Sequence, residues 1–191
     1  MTAVMDQARR NFLLQGTSAL ALGALGATAV PFLASWQPTE ATRLGGLPAQ
    51  IDLTKIGEGE GIKLLWRGTP MWIVKRPAAA IAALESARDA LKDPDSIEST
   101  QPDYARNALR SARPDVIVLT AICTHLGCLP QFKPQPDEQL GPGLDSGFYC
   151  PCHGSRFDMA GRVMKGSPAP TNLPVPLYHF ADANTLVIGA S

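Results

Sequence analysis

The chain has 191 residues, enough for one compact domain with additional segments. Its 17 basic and 17 acidic side chains cancel to a formal net charge of zero, which argues against a nucleic-acid-binding role. Hydrophobic residues make up 45% of the sequence, so a sizeable core is expected, although the N-terminal region contains a large share of them.

Residues 1–36 are predicted to be an export signal and a transmembrane anchor. No charged residue occurs from Asn11 to Thr39. The most apolar part, Phe12 to Leu33, would form a helix about 33 Å long, enough to cross a bilayer. The sequence Arg-Arg-Asn-Phe-Leu at residues 9–13 resembles a twin-arginine export signal. We expect the anchor to be retained, although Ala27-Thr28-Ala29 resembles a small-residue cleavage site.

A linker and short strands are predicted next. Residues 37–48 combine proline, glycine and small polar side chains, which is typical of a flexible tether. A domain over 49–191 follows the tether. Alternating apolar residues predict strands at 51–53, 62–66 and 71–75, the last two joined by a hairpin turn at Arg67–Pro70.

A helical insertion is predicted at about 78–114. Apolar residues recur at helical spacing from Ala78 to Leu91, and Pro94 is expected to stop this helix. Residues 104–111 are predicted to form a second short helix.

Two short loops contain all four cysteines and two of the three histidines. The first, Cys123-Thr-His-Leu-Gly-Cys128, directly follows a strand predicted at 116–122, and the second is Cys150-Pro-Cys-His-Gly-Ser155. Each loop offers one cysteine and one histidine at ligand spacing, C-x-H or C-x-x-H, and one further cysteine. Structural zinc is an alternative, but C-x-H is tighter than the usual zinc-finger spacing. Disulfides alone would leave both histidines unexplained.

The two loops resemble those of Rieske iron–sulfur proteins, in which two histidines replace two cysteines on one iron of a [2Fe–2S] cluster. The resemblance implies that Cys123 and Cys150 bind one iron, and that His125 and His153 bind the other. Since imidazoles are neutral ligands, the centre is less negative than one with four thiolates and accepts an electron more readily.

The same resemblance implies roles for neighbouring residues. Cys128 and Cys152 would form a disulfide that joins the loops. The Ser155 hydroxyl would donate to a bridging sulfide. Phe157 stands where many relatives have a tyrosine that donates to a cysteine sulfur. Leu126 would either pack into a partner's quinol pocket or shield the cluster from water.

The cluster-binding subdomain is expected at about 122–171, and its glycines and prolines predict turns and a loop. Gly127 and Gly154 would permit turns with positive φ beside the ligands. Asp158–Gly161 resembles a hairpin turn, and Gly166–Pro170 resembles the proline-rich loop that covers the cluster in this family.

The rest of the domain is predicted to be loop and strand. Residues 129–147 read as a surface loop, and strands at 177–180 and 185–188 are expected to close the domain. His179 lies in the first of these strands and is interpreted as a structural residue.

The resemblance implies an all-β head of antiparallel sheets, with a helical insertion, on an N-terminal transmembrane helix. It extends over nearly the whole chain and points to the Rieske subunit of quinol–cytochrome c oxidoreductase, a cytochrome bc-type complex. Such a subunit takes an electron from quinol, with the proton on His153, and passes it to a c-type haem as the head swings on its tether.

The implied partners are cytochrome b and a c-type cytochrome, in a dimeric complex of the bacterial inner membrane with the head on the periplasmic side. One alternative is the Rieske small subunit of a periplasmic oxidase such as arsenite oxidase, which usually lacks the helical insertion. Another is a soluble Rieske ferredoxin, which lacks both the anchor and the extra cysteines.

Overall fold

The computed structural model describes residues 6–189, with the side chains of Ala41 and Leu44 excepted. The described chain separates into two compact units, which divide between Leu44 and Gly45.

The first unit contains a long apolar helix, α1 (Gln7–Ala34, 28 residues). The Asp6 carboxylate caps its start by accepting a hydrogen bond from the Ala8 N–H at 3.1 Å. Its most apolar window has a mean hydropathy of 1.6, and none of its residues is buried. Length and composition are therefore sufficient for a membrane span, and the predicted apolar helix is confirmed.

The segment predicted to be a tether contains a short helix, α2 (Glu40–Gly45). The two residues after it, Gly46 and Leu47, belong to the second unit and are hydrogen-bonded within it. The Trp66 indole N–H donates to the Leu47 carbonyl at 2.8 Å, and the Arg67 guanidinium donates to the Gly46 carbonyl at 2.8 and 3.2 Å. The end of the predicted tether is thus fixed by hydrogen bonds.

Three antiparallel sheets, each of three strands, build the second unit. Their strand orders are β1-β9-β8, β2-β3-β4 and β5-β6-β7. The strands are β1 (Ala49–Asp52), β2 (Gly61–Trp66), β3 (Thr69–Lys75), β4 (Val116–Thr120), β5 (Gln131–Lys133), β6 (Gly147–Cys150), β7 (Ser155–Phe157), β8 (Tyr178–Phe180) and β9 (Thr185–Ile188).

The β2–β3 hairpin is tighter than predicted. Trp66 pairs with Thr69, so the turn consists of Arg67 and Gly68 alone, with φ of 49° and 74°. Positive φ at both positions is typical of a type I′ turn, whose twist matches that of the flanking strands. Thr69 and Pro70, predicted to lie in the turn, therefore belong to β3.

The core is centred on β3 and β4. Ile73, Val74, Ile117 and Val118 are fully buried. These four side chains are β-branched, and β-branched side chains pack well on a pleated surface, which explains why these two strands form the centre of the core. The predicted strand at 116–122 is confirmed over 116–120.

The first helix of the insertion, α3 (Ala78–Ser86), is shorter than predicted. A single 3₁₀ turn over Arg88–Ala90 follows it, and Leu91 then forms an antiparallel bridge with Met164. Leu91 is almost completely buried. The prediction of a helix to Leu91 was wrong at this end, because long-range pairing and burial outweigh local helical spacing.

The second predicted helix, at 104–111, does not form; only a 3₁₀ turn over Asp103–Ala105 is present. The Asn107 side chain donates to the carbonyls of Tyr104 and Ser111 and accepts from the Leu109 N–H. These bonds compete with those of a helix. Arg110 also has φ of 53°, which a helix cannot contain.

Short strands border the second cysteine loop. β5 lies inside the segment predicted to be a surface loop and pairs with β6, and β6 pairs with β7. The two closing strands were predicted correctly as β8 and β9. His179 lies in β8 with its side chain exposed.

Candidate metal centre

The two ligand loops are held by strands of different sheets. β4 ends three residues before Cys123, whereas β6 ends on Cys150 itself and β7 begins at Ser155. A buried bond between the Trp72 indole N–H and the Pro130 carbonyl, at 2.9 Å, fixes the end of the first loop. Strand ends on rigid sheets thereby set the positions of both loops.

Both loops close with the same backbone hydrogen bond. The Gly127 N–H donates to the Cys123 carbonyl at 3.0 Å, and the Gly154 N–H donates to the Cys150 carbonyl at 2.9 Å. The two glycines have φ of 80° and 74°. Only glycine adopts this conformation readily, so the expectation of positive-φ turns at both positions is met.

The four cysteines divide into a bonded pair and a free pair. Cys128 and Cys152 form a disulfide, while Cys123 and Cys150 are free and buried. The sulfur atoms of Cys128, Cys150 and Cys152 all lie within 4.8 Å of one another. The disulfide therefore crosslinks the loops next to a free thiol, and two sulfur ligands remain.

The surroundings of the Cys150 thiol favour its neutral form. Burial, together with a hydrogen bond to Cys123, raises the pKa of the Cys150 thiol. A thiol in this environment is a poor nucleophile at neutral pH, whereas a bound cation would convert it to a thiolate.

The two loop histidines face each other. Their ring centroids are 4.7 Å apart and the planes are nearly perpendicular, at 89°. Among the described residues, one buried side-chain nitrogen or oxygen lacks a hydrogen-bond partner, and it is Nδ1 of His125. The His153 side chain is exposed. An unpartnered buried nitrogen is costly, and a metal bond would satisfy it.

Ser155 is completely buried, and its hydroxyl oxygen accepts a hydrogen bond from the Ala169 N–H at 3.0 Å. The hydroxyl hydrogen has no acceptor among the described protein atoms, so it remains available to a further acceptor. Two other bonds join the segment after Lys165 to the first ligand loop and to the residue that follows the second. The Arg156 N–H donates to Ser167 Oγ at 3.1 Å, and the Thr124 hydroxyl donates to the Thr171 carbonyl at 2.7 Å.

Residues around the ligands differ sharply in exposure. Phe157 is completely buried and pairs with Phe148 across β6 and β7. Leu126 and Leu129 are 70% and 52% exposed. The first ligand loop thus presents apolar side chains to its surroundings near an exposed histidine.

Sequence reasoning missed two residues that position the site, Trp72 and Thr124. Both act through single hydrogen bonds to backbone carbonyls that are distant in sequence. Thr124 lies between two predicted ligands, so its position in the sequence could have indicated a role at the site. Trp72 offers no such signal, since its partner is known only from the tertiary structure.

The donor set fits a metal centre with two thiolates and two imidazoles. With Cys128 and Cys152 bonded to each other, two free thiols and two facing imidazoles remain, and one imidazole nitrogen is buried without a partner. Such a set suits zinc or an iron–sulfur centre, so the donors alone do not distinguish these metals.

Comparison with known proteins resolves this choice. Residues 91–178 match the Rieske [2Fe–2S] domain family. The chain is 43% identical to the ubiquinol–cytochrome c reductase iron–sulfur subunit of Allochromatium vinosum, over 97% of this chain and 90% of that protein. It is 42% identical to the subunit of the same name from Blastochloris viridis, over 97% and 94%. It is also similar to a chain of a hyperthermophilic respiratory Complex III, with a TM-score of 0.50 and 28% identity, covering 90% of this chain and 96% of that one.

Proposed function

This chain belongs to the family of ubiquinol–cytochrome c reductase iron–sulfur subunits, and on that premise we propose that it is the Rieske electron-transfer subunit of such a complex. It takes an electron from quinol and passes it to the haem of a c-type cytochrome. Its cofactor is one [2Fe–2S] cluster of the Rieske type. The observation that carries the proposal is the set of two free buried thiols and two facing imidazoles beside one disulfide.

We assign the iron ligands residue by residue. Cys123 and Cys150 bind one iron, and His125 and His153 bind the other. The orphaned Nδ1 of His125 supports this assignment, because iron would satisfy it. When bound, the cluster supplies a one-electron acceptor with a potential between about −150 and +300 mV.

His153 is the proposed contact with quinol. Its exposed ring has a second nitrogen, which can accept a hydrogen bond from the quinol hydroxyl and then hold the proton. Leu126 is 70% exposed in the facing loop, and we propose that it packs into the quinol pocket of cytochrome b.

Residues behind the ligands set the environment of the centre. Gly127 shapes the first loop through its positive φ. The Ser155 hydroxyl hydrogen, free of any described protein acceptor, would be available to donate to a sulfide of the cluster. Phe157 provides apolar shielding where a tyrosine would add a second donor. Fewer donors to sulfur lower the potential, because hydrogen bonds stabilise the more negative reduced state.

The proposed arrangement in the membrane follows from α1. The helix is long and apolar enough to span a bilayer once, with Arg9 and Arg10 on the cytoplasmic side. A twin-arginine signal would export the head already folded, with its cofactor in place, to the periplasmic side of the inner membrane, where a disulfide persists. Residues 37–45 act as the tether, because Gly46 and Leu47 are hydrogen-bonded to the head. The partners are cytochrome b and a c-type cytochrome, in a dimeric complex.

Purification from membranes tests this function. Membranes solubilised in a mild detergent are passed over an affinity resin that captures a tag at the C-terminus of the chain. We expect b- and c-type haems in the captured fraction, together with ubiquinol–cytochrome c reductase activity. A fraction that lacks both haems and oxidises arsenite instead would support the periplasmic-oxidase alternative, which the high-coverage relatives do not favour.

A pair of leucine variants tests the docking surface within the same preparation. Leu126→Asp should lower quinol oxidation at least tenfold, because the charge would have to be buried in an apolar pocket. Leu177→Asp is the matched control, since Leu177 is also exposed, at 54%, but lies outside the ligand loops. Equal activity of the two variants would contradict the role of Leu126.

A further inference from the structure

A lysine of the insertion is bound to the loop that follows the second ligand loop. We define the proline loop as residues 166–170. The Lys92 ammonium donates to the Ser167 carbonyl at 2.5 Å and to the Ala169 carbonyl at 2.9 Å. Both acceptors belong to the proline loop, which is distant from Lys92 in sequence. Hydrogen bonds from a charged donor are about twice as strong as neutral ones.

The backbone at Lys92 and Asp93 is hydrogen-bonded to residues on both sides of the proline loop. The Lys92 N–H donates to the Val163 carbonyl at 3.0 Å, just before the loop. The Asp93 carbonyl accepts from the Asn172 side chain at 2.9 Å, just after it. Leu91, immediately before Lys92, is buried. The backbone of Lys92 is therefore fixed in position. Hydrogen bonds hold the residues just before and just after the proline loop, and the Lys92 ammonium binds the loop between them.

The bridged loop also contacts the centre through Ser155. Ala169 is completely buried, and its N–H donates to the Ser155 hydroxyl oxygen. This bond restricts the rotation of the hydroxyl, and hence the directions in which its free hydrogen can point. One residue, Ala169, thus connects the Lys92 ammonium on one side with the Ser155 hydroxyl on the other.

We propose that Lys92 is a positioning residue for the electron-transfer centre: its ammonium fixes the proline loop and, through Ala169, orients the Ser155 hydroxyl toward the cluster. The part that concerns Ser155 rests on the proposed function, whereas the part that concerns the loop does not. Loss of the ammonium should release the loop and weaken the donation by Ser155. It also removes a positive charge, and both effects disfavour the more negative reduced state.

Lys165 provides a matched control. Its ammonium also donates to a backbone carbonyl in the same region, that of Asp89 at 2.7 Å, but this acceptor is outside the proline loop. Lys92→Met and Lys165→Met therefore remove the same charge, with two hydrogen bonds lost in the first and one in the second. Of the two substitutions, Lys92→Met is the one that removes bonds to the proline loop. Lys92→Arg retains the charge and the donors.

The experiment uses the full chain with its cofactor, purified in detergent. Amide hydrogen exchange at the proline loop and the reduction midpoint of the EPR signal are measured for each variant. For Lys92→Met we expect exchange at Ala169 to accelerate at least tenfold and the equilibrium constant for reduction to fall roughly threefold, which is about 28 mV for a one-electron couple. Lys92→Arg should resemble the wild type in both measurements. Lys165→Met should resemble it in the exchange at Ala169 and should lower the midpoint less than Lys92→Met does, because only the effect of the lost charge remains.

Two results would overturn the proposal. Exchange at Ala169 that is equal in Lys92→Met and Lys165→Met would show that Lys92 does not hold the loop. Faster exchange in Lys92→Met, with a midpoint equal to that of Lys165→Met, would show that the loop does not position Ser155. If Lys92→Met fails to accumulate, Lys92→Gln replaces it, and the same two comparisons decide. A wild-type chain that binds no [2Fe–2S] cluster would instead contradict the proposed function, while the exchange comparison would still be valid.

Discussion

Asp158 and Arg162 form a completely buried ion pair, with 2.7 Å between Arg162 Nε and Asp158 Oδ2. The same guanidinium donates to the Leu84 carbonyl of α3, so the pair joins the insertion to the turn after the second ligand loop. Two further arginines, Arg76 and Arg110, are buried nearby and donate to backbone carbonyls. Burial lowers the pKa of each to about 10.

Breaking this ion pair should destabilise the protein strongly. Asp158→Asn leaves the Arg162 guanidinium buried without its counter-charge, at an expected cost of about 3–5 kcal/mol in the free energy of unfolding. Asp95→Asn is the control, because the Arg88–Asp95 pair is exposed to solvent and contributes little to stability. Denaturant titration of the full chain in detergent measures both. Similar midpoints for the two variants would contradict a structural role for the buried pair.

The disulfide and the ligands should respond differently to substitution. Replacing both Cys128 and Cys152 by serine leaves the four ligands in place, but the loops are then joined only through iron. We expect the cluster to bind and then to be lost at least several-fold faster than in the wild type. His125→Ala or Cys150→Ser should prevent binding altogether. Iron content and the decay of the visible absorption measure both effects, and an unchanged cluster lifetime in the double variant would contradict the role of the disulfide.

Phe157 provides a test of how hydrogen bonds set the potential. Phe157→Tyr adds a hydroxyl inside a fully buried site, where we expect it to donate to a cysteine sulfur. A net hydrogen bond to a charged group contributes about 1.5–3 kcal/mol, and roughly 1 kcal/mol of this should differ between the redox states. The potential should then rise by about 40 mV. Ser155→Ala should lower it by a similar or larger amount, and a potential unchanged by both substitutions would contradict the assumed geometry.

The N-terminal region yields a prediction about export. Replacing Arg9 and Arg10 by lysine retains the positive charge but removes the twin-arginine pattern, so the head should accumulate inside the cell. Replacing Arg43 by lysine, beyond α1, is the control and should leave export unchanged. Protease protection of intact spheroplasts measures the location of the head. N-terminal sequencing of the mature chain tests retention of the anchor, and a first residue at Val30 would contradict it.

Local chemistry explains which features were predictable from the sequence. The candidate ligands lie within two six-residue loops, so residue type and spacing identify them without any tertiary information. Strand β4 was also predictable, because β-branched residues fill most of positions 116–120. By contrast, β5 has only three residues and exists because it pairs with β6. A pairing partner that is distant in sequence leaves no local signal.

The insertion was predicted less well for a related reason. Leu91 fits the spacing of a helix, but its burial and its bridge to Met164 favour an extended backbone. Arg110 lies in the helix predicted at 104–111, but in the structure its guanidinium is buried and bonded to the carbonyls of Ala160 and Leu173. Contacts of this kind depend on the folded core, and sequence periodicity does not report them.

The histidine ligands are the central claim, and pulsed EPR of the reduced protein tests them most directly. The cluster should be reducible by ascorbate, because replacing two thiolates by imidazoles raises the potential. Its spectrum should contain couplings from two imidazole nitrogens. Selective ¹⁵N labelling of histidine should change both couplings, and His179→Gln should leave them unaltered. A cluster that only dithionite reduces and that lacks imidazole couplings would contradict the assignment of His125 and His153.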